Sequence, residues 1–356
     1  MTAFPGVFTM SFDCEGLWGP STLTSSLRQR ITQENLVAAY QGLRDVLDQH
    51  ELRATFAFVG AFVLTPDEVR QHPEWFETAS GRQWPRTQEF LEAVAKGQTS
   101  GWLGPECLEI IREAGGHELG THGFQHIALR DHALTRADFE RELSLAAAVG
   151  RLRNFTPRTL IFPRNQVGFL DTLESAGITG FREYIGMKRL SLPLPESLQT
   201  RWDALAALGR EIKLWQKPQP HPAPIATPNH SRPSESEHLL QFSATGRTSH
   251  SSAIAIPAGY FLNWRVGLRR QIPLKLSVAR WSRMLAQAAK HGGMVHLWSH
   301  PHNFITGDRQ LEFFGGILRE AANWVRRGDL LNLTQAEYCE RCAEQTTLNM
   351  PSLRIA

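Results

Sequence analysis

The chain has no block of consecutive Lys and Arg, and its 38 basic residues face 35 acidic ones, for a formal net charge of +3. A protein that tracks phosphates usually concentrates its basic residues, so a nucleic-acid partner is not expected. There is no apolar run long enough to cross a bilayer. The first residues, Met-Thr-Ala-Phe-Pro-Gly, show neither a basic n-region nor an apolar h-region, so no secretory signal is expected. Four cysteines in 356 residues are too few for a disulfide scaffold. These absences together predict a cytoplasmic protein without a transmembrane segment. Cys339 and Cys342 form a lone C-x-x-C inside a helix opened by a Thr334/Glu337 capping box, and read as structural.

What is present is an ordinary globular composition, 42% apolar and 21% charged, in a chain that can bury a large core. Short apolar strands alternate with helices. Val7 to Phe12 reads as a strand. Thr32 then caps a helix with Leu36, Tyr40, Leu43 and Leu47 at helical spacing. Ala54 to Val59 is the next strand, and a polar excursion rich in Trp, Pro and Gly follows over 67–104. A helix from Cys107 to Ala114 precedes a strand that leads to His122. The helix Leu134–Leu152 and the strand Thr159–Phe162 come next, the latter stopped by Pro163. Near the C-terminus lie a helix over 278–290, the strand Met294–Ser299, a helix over 311–327 and the strand Leu330–Leu333.

This order predicts an α/β protein of parallel βα units closing in a barrel-like way. We expect a single domain over 1–346, with insertions at 67–104 and 216–247 and a tail at 347–356. The second insertion is marked by alternating prolines (Pro218, Pro220, Pro222, Pro224) followed by Ser and His, too poor in apolar residues for a core.

In a barrel of parallel strands, residues at the C-terminal strand ends converge on one face. Asp13 and Glu15 end the first strand two residues apart, so they share a face while Cys14 points away. They offer one candidate base and one candidate ligand, or simply a solvated acidic cap. His122 and His126, in Thr121-His-Gly-Phe-Gln-His126, could supply half of a tetrahedral metal site. Arg164 follows an apolar strand and could pair with a carboxylate, or lie on the surface. His300 ends the strand Met294–Ser299 before Pro301 and suits general-acid work. His296 reads as a satisfied core histidine, and His302 as a surface residue or a neighbour of the ligands. Trp18 and Trp298 are candidates for stacking on a sugar ring, with burial in the core as the alternative.

Taken together and in this order, the four segments resemble the polysaccharide deacetylase family, the NodB-homology fold of carbohydrate esterase family 4. Ser11–Gly16 is similar to its Asp-bearing turn, and His122 and His126 match its His-x-x-x-His spacing with Gly123 in place of a small hydroxyl residue. Pro163-Arg164 and His300-Pro301-His302-Asn303-Phe304 match its later motifs, so the resemblance spans roughly Val7 to Phe304. It departs where Cys14 and Glu15 follow Asp13 in place of a second Asp. The family's Asp-Trp motif is also not visible, with Glu183 and Asp203 as possible substitutes.

The resemblance implies a distorted (β/α) barrel of the NodB type and a divalent metal, zinc first, held by Glu15, His122 and His126. It implies Asp13 as the base, Arg164 as the residue orienting it, and His300 as the acid that protonates the leaving amine. The expected activity is a hydrolase acting on a linear amide C–N bond, removing an N-acetyl group from an amino sugar. The substrate would be a polysaccharide or a nucleotide-linked or lipid-linked glycan precursor. Two alternatives stay open: a metal-independent amidohydrolase on a non-sugar amide, and an inactive carbohydrate-binding relative.

Overall fold

The strand β1 (Gly6–Cys14) is buried at every one of its positions. Only a strand covered on both faces can be, and this one lies in the interior of the sheet. The structure, a computed structural model, describes residues 5–19, 23–131, 133–183 and 253–349. The proline-rich insertion at 216–247, Asp203 and the tail from 350 lie outside the described residues.

The remaining strands are β2 (Thr55–Phe58), β3 (Glu118–Thr121), β4 (Thr159–Leu160), β5 (Gly180–Arg182), β6 (Ile254–Ile256), β7 (Tyr260–Phe261), β8 (Met294–Ser299) and β9 (Leu330–Asn332). They form one sheet in the order β6-β5-β4-β3-β2-β1-β8-β7, and every pairing is parallel. One edge of β1 is shared, with β2 beside Ser11–Cys14 and β9 beside Gly6–Phe8.

The helices are α1 (Ser25–Arg28), α2 (Gln33–Gln49), α3 (Pro66–Gln71), α4 (Pro85–Ala95), α5 (Pro105–Ala114), α6 (Arg136–Leu152), α7 (Leu274–His291), α8 (His302–Thr306), α9 (Gln310–Arg326) and α10 (Gln335–Asn349). The expected distorted barrel is found as a curled parallel half-barrel. Strands β1 and β5 stand four places apart, which in a flat sheet would separate them by about 19 Å. Yet Arg182 of β5 touches Asp13 of β1 at 2.7 Å, so the sheet bends until these strands face each other.

Alternation along β1 sorts side chains between the two faces. Phe8, Met10, Phe12 and Cys14 belong to the main apolar cluster, where Phe12 stacks on Phe56 at 4.8 Å and meets Phe314 edge-on at 5.7 Å. Thr9, Ser11 and Asp13 take the other face, inside the curl, and are equally buried. Helix α2 is capped by Thr32, whose side chain accepts from the Asn35 amide, and it buries Leu36, Tyr40, Leu43 and Leu47 as its spacing predicts. Cys339 and Cys342 are both buried within α10.

The excursion expected to be polar over 67–104 is largely helical. Pro66 opens α3, Pro73 a single 3-10 turn and Pro85 helix α4. At a first helical position proline loses no hydrogen bond, so residues that look like breakers here mark starts. The segment folds back through Phe90 and Trp102 onto the chain that follows β1.

Candidate metal centre

The turn after β1 delivers Glu15 into the curl, where it is 4% exposed. One oxygen, Oε2, lies 2.8 Å from His126 Nε2 and 3.4 Å from His122 Nε2. Gly19 closes over this carboxylate so tightly that a Cβ there would stand 1.8 Å from Glu15 Oε1.

His122 follows β3 directly, and its amide donates to the Phe58 carbonyl as if the strand continued. Its Nδ1 lies 2.7 Å from the Ile161 carbonyl. A carbonyl only accepts, so Nδ1 donates to it and Nε2 is left to face Glu15. The chain from His122 to His126 is not helical. Gly123 has φ +76°, open to glycine at no cost, and His126 itself is left-handed at φ +55°. The loop is clamped from two sides: the amides of Gly60 and Ala61 donate to the Gly123 and Phe124 carbonyls. Behind it, the Phe124 and Gln125 amides both donate to Glu142 Oε2 of α6 at 2.9 Å. Thr87 donates to the Gln125 side chain at 2.8 Å.

The donor atoms of Glu15, His122 and His126 all fall within 4.8 Å of one another, and all three residues are buried. Two imidazoles and one carboxylate form an ordinary donor set for a divalent transition metal with room for further ligands. Burial pushes the Glu15 carboxyl up, but His126, His300 and His122 outweigh it and hold it well below the usual carboxylate range. Burial pushes His126 down, against the pull of Glu15, and so favours the neutral ring a ligand needs. These residues therefore fit such a cation.

Asp13 lies on the same inner face of the curl and keeps a separate partner. Arg182 grips it in a two-pronged pair, with both of its terminal nitrogens 2.7 Å from a carboxylate oxygen. Burial raises the Asp13 carboxyl, and the charges of Arg182, His122 and His300 together with the Arg182 hydrogen bond bring it below its ordinary value. Arg182 also donates to Asn165 Oδ1 at 2.9 Å and lies over the Trp298 ring at 4.5 Å. Beneath it, Ser11 Oγ meets His296 Nε2 at 2.8 Å while His296 Nδ1 faces the Pro257 carbonyl at 2.6 Å, the satisfied core histidine expected.

His300 stands between the two carboxylates. Its Nε2 is 3.8 Å from Asp13 Oδ2 and 3.6 Å from Glu15 Oε1, and its side chain is 22% exposed. Its Nδ1 lies 3.3 Å from the Asn303 amide nitrogen. Glu183 directly follows β5, and its main-chain amide donates to the Ile256 carbonyl at 2.8 Å.

The structure thus gathers Glu15, His122, His126, Asp13, His300 and Trp298 at one end of the sheet and corrects two expectations. Arg164 does not pair with Asp13. It sits in a left-handed turn at φ +57° that leaves it exposed, while the next residue, Asn165, turns inward to Arg182. Trp18 is no sugar platform: it is fully buried, donates to the Trp102 carbonyl and packs on Phe90. His302, of the two places expected for it, takes the one beside the ligands, with Nδ1 4.0 Å from Glu15 Oε1. It is 4% exposed, stacks on His300 at 4.9 Å, and burial pushes it down to about 3. Arg182, Asn165, Glu142 and Gly19 were not singled out from sequence. Only an arginine in the short strand Gly180–Arg182 offered a signal, because a charge in a buried strand needs a partner.

No family model matches the chain, and no curated protein matches it. Among solved structures, a candidate polysaccharide deacetylase from Mycobacterium smegmatis is similar at 15% identity, covering 99% of each chain with a TM-score of 0.46. An acetyl xylan esterase of family 4 from Clostridium thermocellum, in complex with a cobalt ion, is similar at 11% identity over 95% of this chain and 92% of that one, TM-score 0.39. A peptidoglycan deacetylase from Bacillus subtilis is similar at 11% identity over 97% and 96%, TM-score 0.35. Structural neighbours along the whole chain are thus polysaccharide deacetylases and family 4 esterases at low identity, and no residue role is taken from them.

Two outcomes are expected of the site's supports. In Gly19→Ala the new methyl group forces the Glu15 carboxylate to shift, so divalent-metal affinity measured by competition titration should fall about 10- to 100-fold with the fold intact; affinity unchanged in both Gly19→Ala and Glu15→Ala would remove Glu15 from the ligand set. Glu142 is 2% exposed, and burial pushes its carboxyl up to about 7, against the Gln125 and Phe124 amides. A carboxyl raised on folding favours the native state most below its unfolded value of 4.5, and that contribution is lost as pH climbs toward 7. Unfolding free energies from urea titrations at pH 5 and pH 8 should therefore show Glu142→Gln gaining on the wild type by on the order of 1–3 kcal/mol. Parallel pH profiles would contradict a buried, proton-holding Glu142.

Proposed function

We propose that the protein is a divalent-metal-dependent hydrolase that cleaves the amide of an N-acylated amino sugar, releasing a carboxylate, acetate first, and the free amine. The observation that carries this reading is that two carboxylates brought together inside the curl keep separate partners. Glu15 is held among imidazoles as a ligand, and Asp13 is held ionised by Arg182 with His300 within reach of both.

Glu15, His122 and His126 would hold the cation, zinc by our reading, which supplies Lewis acidity toward the acyl carbonyl. Asp13 is the general base. Arg182 occupies one lone pair on each of its oxygens, leaving Oδ2, the oxygen nearer His300, free to take a proton from the attacking water. Arg182 rather than Arg164 fixes that carboxylate. His300 Nε2 faces both carboxylates and carries a proton to the departing amine nitrogen, so that one water is consumed per amide broken. Trp298, half-buried beneath Arg182 and beside His300, forms a wall against which a pyranose ring can rest. The choice of an amino sugar rests on the resemblance of the sequence motifs. A reducing, cytoplasmic setting is proposed from the low cysteine content, four in 356 residues.

The test is acetate release from a panel of N-acetylated amino sugars, free, nucleotide-linked and lipid-linked, by zinc-loaded protein. Asp13→Asn, shown to be folded by circular dichroism and still to bind zinc, should lose about 100- to 10,000-fold in kcat. Near-normal turnover in that variant would remove Asp13 as the base. Turnover that survives exhaustive chelation would contradict a metal-dependent reaction.

A further inference from the structure

The basic residues look evenly spread in sequence, but one long window is free of acid. From Ala253 to Gly307 there is no Asp or Glu, while Arg265, Arg269, Arg270, Lys275, Arg280, Arg283 and Lys290 all fall within it. This segment alone carries +7, more than the +3 of the whole chain. Arg270, Lys275, Arg283 and Lys290 are exposed. The same window holds two of the three exposed large apolar side chains among the described residues, Leu268 at 66% and Leu276 at 44%.

These leucines are held outward by construction. Arg265, 3% exposed, gathers the loop around its guanidinium. It donates to the carbonyls of Ile272 and Arg270 at 2.8 Å and of Asp308 at 3.0 Å, and its amide donates to Gln310 Oε1 at 3.0 Å. Trp264 donates to Thr306 at 3.1 Å and carries the Arg269 guanidinium 6.0 Å from its ring centre. The single 3-10 turn Gly267–Gln271 and the first turn of α7 therefore form a fixed ledge. The acidic groups close by are already matched, Asp308 3.9 Å from Arg265 and Glu312 paired with Arg309.

The ledge begins where β7 ends and rests on the chain that follows His300. Phe261, the last residue of β7, meets the His300 ring at 5.7 Å. It therefore stands at the same end of the sheet as the candidate metal centre. We propose that the ledge from Val266 to Leu276 docks the protein onto an anionic lipid bilayer, with Leu268 and Leu276 entering the interface and Arg270 and Lys275 meeting the headgroups. A polyanionic glycan or nucleic acid would engage the basic residues and leave the leucines in water. Leucines set among basic residues fit a lipid–water boundary. No helix among the described residues is long and apolar enough to cross a membrane. The proposal stands independently of the proposed activity.

The test is co-sedimentation of the full chain with sucrose-loaded vesicles, either pure phosphatidylcholine or containing about one third phosphatidylglycerol. Partition onto the anionic vesicles should exceed that onto neutral ones by about tenfold or more and weaken as salt is added. The double variant Leu268→Ser/Leu276→Ser, with its melting temperature unchanged, should lose most of that binding, about tenfold. Arg270→Glu/Lys275→Glu should lose it as well. Failure to bind anionic vesicles overturns the proposal. So does binding that is indifferent to the leucine pair, which would mark simple adsorption of charge.

Discussion

The two-pronged pair between Asp13 and Arg182 is the contact on which the site depends. It joins β1 to a strand four places away, so it exists only because the sheet curls, and it ties that curl across its interior. Both partners are buried, 3% and 2% exposed. Removing either would strand a charge out of water at a cost of about 3–5 kcal/mol. The pair is not proof of stability, since two apolar residues of the same shape could serve as well. What it does supply is an ionised carboxylate in a fixed orientation.

That fixed orientation lets two carboxylates share one cavity. Asp13 and Glu15 are two residues apart on one face, and their repulsion would ordinarily force a proton onto one of them. Here each has its own cationic or hydrogen-bonding surroundings, Arg182 for Asp13 and the imidazoles for Glu15. His300 lies within 3.8 Å of both. The second layer is equally specific. Gly19 packs against the Glu15 carboxylate where any Cβ would collide with it, and Glu142 fastens the loop that spaces His122 from His126.

Much of this was legible in the sequence because it follows from periodicity. The strand alternation at Asp13, Cys14 and Glu15 fixed which side chains share a face, and Cys14 indeed lies in the apolar cluster behind β1. The helix spacing after Thr32 and the strand before His300 were readable for the same reason. Contacts that depend on the curvature of the sheet were not. Nothing local to Arg182 tells that β5 swings round to face β1, and Arg164 looked better placed until its left-handed turn was seen. The prolines of 66–85 read as breakers, although at first helical positions they start helices. Trp18 was ambiguous, because burial depends on a segment that returns only at Trp102. The acid-free window was visible in sequence, but its meaning required knowing that Leu268 and Leu276 are held out into solvent.

The central claim is that Glu15, His122 and His126 bind a divalent cation and that Cys14, between the two carboxylates, does not. X-ray absorption at the zinc edge of the loaded protein addresses this directly. The account predicts a first shell of nitrogen and oxygen at about 2.0–2.2 Å, with the multiple-scattering signature of two imidazoles and no sulfur. A sulfur scatterer at about 2.3 Å, or a spectrum unchanged when His126 is replaced by Ala, would contradict it.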